Sequence, residues 1–208
     1  MAKYIHLFAF DIKLLRYLYG FPFVAYGLCT LLMLTVGTQS DSPFLPYTFL
    51  EGIAIPLAGW HTVFLYNSLF EEGAKETLIV YYRQTLTIDL TRYAILHGVF
   101  ISLLVALVGW MNGPDFFTIT LIVHLILLFF FYQIIGIAIL SATKSLEVTL
   151  ATIATYTFME VVTQGTFMPW PHIFIFMDPI NDIWLHLTFL SLGIGIVSSV
   201  IQLWRKFK

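Results

Sequence analysis

Charged side chains are scarce in this sequence, where Asp, Glu, Lys and Arg make up only 11% of 208 residues. An ordinary soluble domain carries roughly 25%. Hydrophobic residues account for 59% of the chain. A helix needs about 20 apolar residues to cross a bilayer, and hydropathy offers six such runs. Six spans would take more than half of the chain, which leaves no room for a soluble catalytic domain.

Cysteine and the common catalytic motifs are also nearly or wholly missing. The one cysteine, Cys29, lies in the first apolar run and cannot form an intrachain disulfide. The sequence has no phosphate-cradling glycine loop, no Gly-x-Ser-x-Gly elbow and no His-Glu-x-x-His pair. The sequence has no basic patch with interleaved aromatic residues of the kind that indicates nucleic-acid binding. Energy for uphill transport would therefore come from another subunit or from an ion gradient.

Positive charge follows a strict alternation between the apolar runs. All ten Lys and Arg residues fall in alternate connections: Lys3, Lys13, Arg16, Lys75, Arg83, Arg92, Lys144, Arg205, Lys206 and Lys208. In the other three connections the charged residues are all acidic: Asp41, Asp115, Asp178 and Asp182. Lys and Arg near span ends stay on the cytoplasmic side. The pattern predicts a multi-pass protein of the plasma (cytoplasmic) membrane with both termini inside.

The predicted fold is an all-α membrane domain that covers residues 1–208. We predict spans at about 17–36, 47–70, 91–111, 116–140, 146–163 and 182–203. Pro56 is expected to kink the second span. Residues 1–16 are expected to form an interfacial elbow helix that keeps Lys3, Asp11 and Lys13 in water.

Two connections stand out by composition. Residues 71–90 begin with acidic residues and then become amphipathic, which predicts a short cytoplasmic helix that meets the membrane and turns back. Residues 164–181 are apolar but broken by three prolines and too short to cross. Such an external segment is expected to re-enter the membrane against protein; the alternative is an aromatic interfacial loop.

The fifth predicted span carries a polar stripe. Its members share one helical face at spacings of 3, 4, 4 and 3, and they are Thr149, Thr152, Tyr156, Glu160 and Thr163. Threonine hydroxyls often bond to carbonyls of their own helix, but Glu160 needs a cavity, a partner or water. Glu51, near the external end of span two, is the second candidate for an outer vestibule, with simple exposure at the interface as the alternative.

Small residues repeat every four positions in two spans, which favours close helix packing and is compatible with a dimer. They are Gly98, Ser102 and Ala106 in the third span and Ser191, Gly195 and Ser199 in the sixth.

Four histidines lie in or near spans, His61 and His97 towards the inside and His124 and His186 towards the outside. Pairs of histidines across helices could ligate haem or a metal. Each span has just one histidine, however, and a single buried histidine is usually structural.

Residues 69–93, LFEEGAKETLIVYYRQTLTIDLTRY, resemble a known family. They are similar to the connection between spans two and three in type-2 permease subunits of ATP-binding cassette (ABC) exporters of drugs, peptides and polysaccharides. Glu71, Glu72, Gly73 and Glu76 match its acidic cluster, which also contains Lys75, and Arg92 stands where a basic residue often opens span three. The sequence departs from the pattern at Ala74, where threonine is usual, and at Tyr81-Tyr82-Arg83, where Ser-Pro is common.

The resemblance implies a permease that is not an enzyme by itself. Residues 71–80 would contact two cytoplasmic ATPase subunits, which would bind the ATP and Mg²⁺, so this chain would need no cofactor. A second permease copy or a paralogue would complete the path. Spans two and five would line that path with Glu51, Thr149, Thr152, Tyr156, Glu160 and Thr163. The expected cargo is a hydrophobic or amphipathic peptide or drug.

Three other functions remain open at this point. The chain could be an ion-coupled carrier, although we detect no inverted repeat. It could be a membrane enzyme whose cofactor is held by histidines, or a peptide-immunity protein that binds without transport.

Overall fold

The computed structural model describes residues 2–71, 75–164, 166, 172–179 and 183–207, and within these ranges it contains helices and no strand. The α-helices are α1 Ala2–Leu15, α2 Tyr17–Thr35, α3 Leu45–Phe49, α4 Trp60–Glu71, α5 Lys75–Asn112, α6 Ile119–Thr143, α7 Leu146–Thr163 and α8 Ile183–Phe207. Short 3-10 turns lie at Gly37–Gln39, Ile55–Gly59 and Pro114–Phe116, and a π-helical turn at Leu50–Ala54. The predicted all-α class is confirmed.

Five helical stretches are long and apolar enough to cross a membrane. They are Tyr17–Gln39, Leu45–Asn67, Thr85–Asn112, Ile119–Thr143 and Ile183–Lys206, and they match predicted spans one, two, three, four and six. Helix α7 has the bounds expected for span five but is not among these stretches. The chain thus has the character of a multi-pass membrane protein, while the sixth span and the orientation of the termini stay predictions.

The N-terminal helix forms as expected, but one of its predicted surface residues is buried. Helices α1 and α2 meet at Arg16, whose φ of 52° lies in the left-handed region. Asp11, expected in water, is only 3% exposed. The prediction for Asp11 is wrong because Arg92 and Tyr93 of α5 pair with it inside the bundle. Placement of α1 at the membrane surface stays a prediction.

The second span is irregular around Pro56, as expected. The run from Leu45 to Glu71 passes from α-helix through the π-helical turn and a 3-10 turn into α4. Proline removes a backbone donor and disfavours the preceding helical turn. At Gly59 a Cβ would overlap the backbone carbonyl oxygen of Tyr132. Only glycine lets this part of the run approach α6 so closely.

Helix α5 departs from the prediction for residues 71–90. It continues without interruption from Lys75 to Asn112, so no turn separates the described part of that segment from span three. Periodicity alone could not place the boundary, since both parts favour helix.

Helix α6 packs against α4, α7 and α8. Gly195 of the α8 ladder faces the Phe131 ring, whereas Gly98 of the α5 ladder has open space around it. Thr118 and Ser145 cap the N-termini of α6 and α7, and Lys144 ends α6 in a left-handed conformation. These local signals turn the chain sharply between α6 and α7.

Candidate functional site

A non-helical segment is buried inside the bundle between α7 and α8. Residues 172–176 form no helix or strand, yet Ile173, Phe174 and Ile175 are all buried. Their side chains belong to the main hydrophobic core. Because irregular backbone carries unpaired polar groups, burial requires partners for its N–H and C=O groups. The partners come from three side chains on three different helical runs.

Glu160 of α7 binds the start of this segment. Its Oε1 accepts hydrogen bonds from the backbone N–H of Ile173 at 2.8 Å and of Phe174 at 3.4 Å. The Nδ1 atom of His172 lies 3.5 Å from the same oxygen. The carboxylate of Glu160 is fully buried. It therefore acts as an acceptor for backbone donors that helix and sheet leave unpaired.

Glu51 binds the next residue of the segment, Ile175. Its Oε2 accepts from the backbone N–H of Ile175 at 3.1 Å, and the residue is fully buried. Glu51 lies in the π-helical turn Leu50–Ala54. The extra residue in such a turn interrupts the ordinary helical register, and π-turns often occur at functional sites.

His124 of α6 completes the arrangement. Its Nε2 donates to the carbonyl oxygen of Ile173 at 2.7 Å, because a carbonyl can only accept. Its Nδ1 faces the hydroxyl of Tyr47 at 3.0 Å and Oε1 of Glu51 at 3.4 Å. With Nε2 protonated, Nδ1 of the neutral ring accepts from the hydroxyl of Tyr47. We call Glu51, His124 and Glu160 the carboxylate clamp.

The polar stripe of α7 divides in the structure. The hydroxyls of Thr149, Thr152 and Thr163 each donate to a carbonyl four residues earlier: Ser145, Val148 and Met159. Thr152 and Tyr156 line a cavity of about 430 Å³ between α6, α7 and α8, with Ile173 at its wall. The role of these residues as a translocation path stays a prediction.

A second polar cluster joins two histidines. Nε2 of His61 donates to the carbonyl oxygen of Tyr19 at 3.0 Å, so Nδ1 of the neutral ring accepts from Nε2 of His97 at 2.9 Å. Nδ1 of His97 then accepts from the hydroxyl of Tyr26 at 2.5 Å. The chain of three bonds links α2, α4 and α5 and assigns one tautomer to each ring. We call His61 and His97 the histidine pair.

Beside the histidine pair lies a buried arginine between two acids. Arg92 binds Asp11 of α1 at 2.5 Å and Asp89 of α5 at 2.8 Å. The hydroxyl of Tyr93 donates to Asp11 at 2.7 Å and that of Tyr66 donates to Asp89 at 2.9 Å. Burial raises the pKa of Asp11 above its ordinary value of 3.8, although Tyr93 and Arg92 oppose that shift. We call Asp11, Asp89 and Arg92 the arginine triad.

None of the three clusters, the carboxylate clamp, the histidine pair and the arginine triad, has the composition of a metal centre. Among the described residues, no group of three or more His, Cys, Asp or Glu side chains could hold a metal ion. The ring nitrogens of the histidine pair bond directly to each other at 2.9 Å. A metal between them would need each nitrogen at about 2.0–2.1 Å from the ion, so this arrangement does not fit one.

Comparison of the chain with models of protein families, with curated proteins and with solved structures finds no match. The resemblance to ABC exporter permeases thus rests on residues 69–93 of the sequence. Of the coupling residues, Glu72 and Gly73 lie outside the described residues. Only the backbone is described for Glu71, Lys75 and Glu76, at the end of α4 and the start of α5.

Sequence reasoning missed most of the polar pairing. The predicted depth of His124 in the membrane matched that of Glu51, which was one sign that the two could be close. His61 and His97 likewise had similar predicted depths, towards the inside. Nothing in the sequence indicated that Asp11 would leave water, because α1 also has an ordinary polar face.

Proposed function

We propose that this chain is the permease subunit of an ABC exporter. In this proposal two cytoplasmic ATPase subunits bind the segment around Glu71–Glu76, and a second permease copy or a paralogue completes the path. The chain spans the plasma membrane six times, α7 included, with both termini inside. The cargo is a hydrophobic or amphipathic peptide or drug.

One observation carries the proposal. The helical run Leu45–Glu71 holds Glu51 of the clamp near its start and ends at the acidic segment. Glu51 and Glu71 lie about 30 Å apart along this run at a helical rise of about 1.5 Å per residue. A continuous helical run of this length, even with its irregular turns around Pro56, can carry a motion from an ATPase on one side to the buried segment on the other.

The clamp supplies the part that such a motion would change. A shift of the run by about 1 Å would lengthen the bond from Glu51 to the Ile175 N–H, while Glu160 on α7 would keep its own bonds. An N–H···O hydrogen bond is ordinarily about 2.7–3.2 Å long, and a contact of about 4 Å is no longer one. In this mechanism residues 172–176 close the outer end of the path at rest and open it when α4 moves. The apolar cavity beside Thr152 and Tyr156 suits an apolar cargo.

The test is co-purification with a phosphate-loop ATPase encoded beside this chain. We expect the affinity-tagged chain to retain the ATPase and ATP-dependent transport in proteoliposomes. Glu72→Lys and Gly73→Pro should release the ATPase while the chain stays inserted. Asp115→Lys is the matched control, because it reverses a charge in a connection predicted to be external. Retention of the ATPase and transport by both coupling variants would show that residues 71–80 are not the contact.

A second function is favoured by the histidine pair. A buried chain from Tyr26 through His97 to His61 is a feature of proton-coupled carriers, in which intramembrane ionisable groups mark proton routes. In that case transport would proceed without an ATPase and stop when a protonophore dissipates the gradient. His61→Phe would abolish it. Transport that depends on ATP and survives the protonophore would reject the carrier.

A further inference from the structure

We propose that a groove between α1 and α5 binds a membrane glycerolipid through an ester carbonyl, which accepts hydrogen bonds from Arg92, with an acyl chain along Ile95 and Val99. This site is independent of the exporter proposal, since it lies on a different face from the clamp.

The groove has the shape and lining of an acyl-chain site. It encloses about 640 Å³ and runs from Phe8 and Thr87 to Val99 and Phe100. Thr87 and Phe100 are about 20 Å apart along α5 at the helical rise. Ile95 and Val99 are 64% and 55% exposed. An acyl chain is the apolar group of this length that a membrane supplies.

Arg92 provides the polar end of the groove. Its side chain is 6% exposed, and its guanidinium lies over the rings of Phe8 at 5.2 Å and Tyr93 at 4.8 Å. Both acids of the arginine triad bind the same atom, Nη2. Nε and Nη1 are buried and have no hydrogen-bond partner among the described residues. Unpaired buried donors on a charged group cost free energy. Because Arg92 lines the groove, an acceptor bound there would relieve that cost.

The charge around Arg92 decides which acceptor fits. Asp11 and Asp89 already face the guanidinium, and Tyr93 and Tyr66 donate to those acids. A phosphate would bring a further negative charge beside two carboxyl groups, which is unfavourable. An uncharged carbonyl oxygen can accept from Nε and Nη1 without that repulsion. Lipid ester carbonyls are such acceptors.

Depth along α5 agrees with this choice. Trp110 is 76% exposed near the other end of the helix, where tryptophan marks a membrane–water boundary. From Arg92 to Trp110 the helix rises about 27 Å, close to the roughly 30 Å of the hydrocarbon core. With Trp110 at one boundary, Arg92 therefore lies at the other, where the ester groups of that leaflet are found.

The test compares two lipids that differ only in the acceptor. The full chain in detergent is titrated with dioleoyl phosphatidylcholine and with its ether-linked analogue, which lacks the carbonyls, and bound lipid is counted by native mass spectrometry. We expect the ester lipid to bind roughly tenfold more tightly, the effect of a hydrogen bond to a charged donor. Equal binding of the two lipids by the unmodified chain would overturn the proposal. Tighter binding of dioleoyl phosphatidic acid than of phosphatidylcholine would overturn it in favour of a phosphate site.

A pair of variants locates the site. Val99→Trp fills the groove and should abolish the preference for the ester lipid. Val197→Trp places the same ring on α8, where Val197 is 57% exposed, and should keep the preference. Loss of the preference in both variants, or in neither, would place the lipid elsewhere. The comparison of lipids on the unmodified chain remains decisive if Val99→Trp fails to fold.

Discussion

The carboxylate clamp and the arginine triad satisfy buried acids in opposite ways. In the triad, Asp11 and Asp89 pair with the charge of Arg92, so α1 is joined to α5 by ions. In the clamp, Glu51 and Glu160 accept mainly from neutral backbone N–H groups of residues 173–175. The helical run Leu45–Glu71 contacts both clusters, because Tyr66, which donates to Asp89, lies about 22 Å beyond Glu51 along it.

The difference concerns what remains when one partner is removed. Loss of Arg92 would leave two buried acids without their cation, which is among the most costly changes in a protein interior. Loss of Glu160 would leave neutral donors unpaired, at about 1–3 kcal/mol. The segment is held through backbone N–H groups that carry no formal charge, so its release separates no pair of opposite charges. The arginine triad is therefore suited to a contact that stays formed, and the carboxylate clamp to one that breaks and re-forms.

Replacement of Arg92 should have the largest effect. We expect Arg92→Met to reduce the free energy of unfolding by about 3–5 kcal/mol, because Asp11 and Asp89 lose their charge partner. The measurement is chemical unfolding of the full chain in detergent. Removing the two acids as well, with Asp11→Asn and Asp89→Asn, should recover most of the loss. A triple variant as unstable as Arg92→Met would show that packing of the guanidinium, rather than charge, dominates.

Replacement of Glu160 tests the clamp. Glu160→Leu should cost about 2–3 kcal/mol, because the N–H groups of Ile173 and Phe174 lose their acceptor. Their amide hydrogens should also exchange faster. Glu160→Gln retains a carbonyl acceptor and should preserve most of the stability and the slow exchange.

Glu147→Leu is the matched control for that experiment. Glu147 is exposed on the same helix and should change the stability little. Unchanged exchange at residues 173–174 in Glu160→Leu would mean that burial of the side chains alone holds the segment.

Periodicity and hydropathy predicted the helices well, because both depend on local side chains. Five predicted spans, the irregularity at Pro56 and the helix in residues 2–15 follow from such signals. The continuity of α5 was not predictable, since a surface helix and a span have the same backbone and differ only in environment.

The pairing of polar groups could be predicted only in part. Glu51 and Glu160 were recognised as unusual because an acidic side chain within a membrane span is costly unless it has a partner or water. Their partners were not predictable, since those are backbone N–H groups from a segment more than 100 residues beyond Glu51 in the chain. Asp11 was misplaced because its partner, Arg92, comes from another helix.

Replacement of Tyr26 tests whether the histidine pair is held by bonds between neutral groups, unlike the arginine triad. Tyr26→Phe removes the hydroxyl that donates to Nδ1 of His97. We expect a loss of about 1 kcal/mol, since the bond joins neutral groups. Tyr17→Phe, at an 83% exposed position of the same helix, is the control and should be neutral in thermal unfolding. A loss near that of Arg92→Met would show that the histidine pair belongs to the charged network.

The smallest effect should be the pH dependence of Asp11. Because burial raises the pKa of this acid in the folded chain above 3.8, the folded state binds the proton more tightly than the unfolded state does. Its contribution to stability is therefore fully present below about pH 3.8 and is lost as the pH rises through the folded pKa. Asp11→Asn stays neutral and should gain stability relative to the natural chain across that window, then keep a constant difference at higher pH. Unfolding of both proteins measured from pH 3 to pH 8 gives the difference directly. A variant that instead loses relative stability as the pH rises would mean that the attraction of Arg92 outweighs the effect of burial on Asp11.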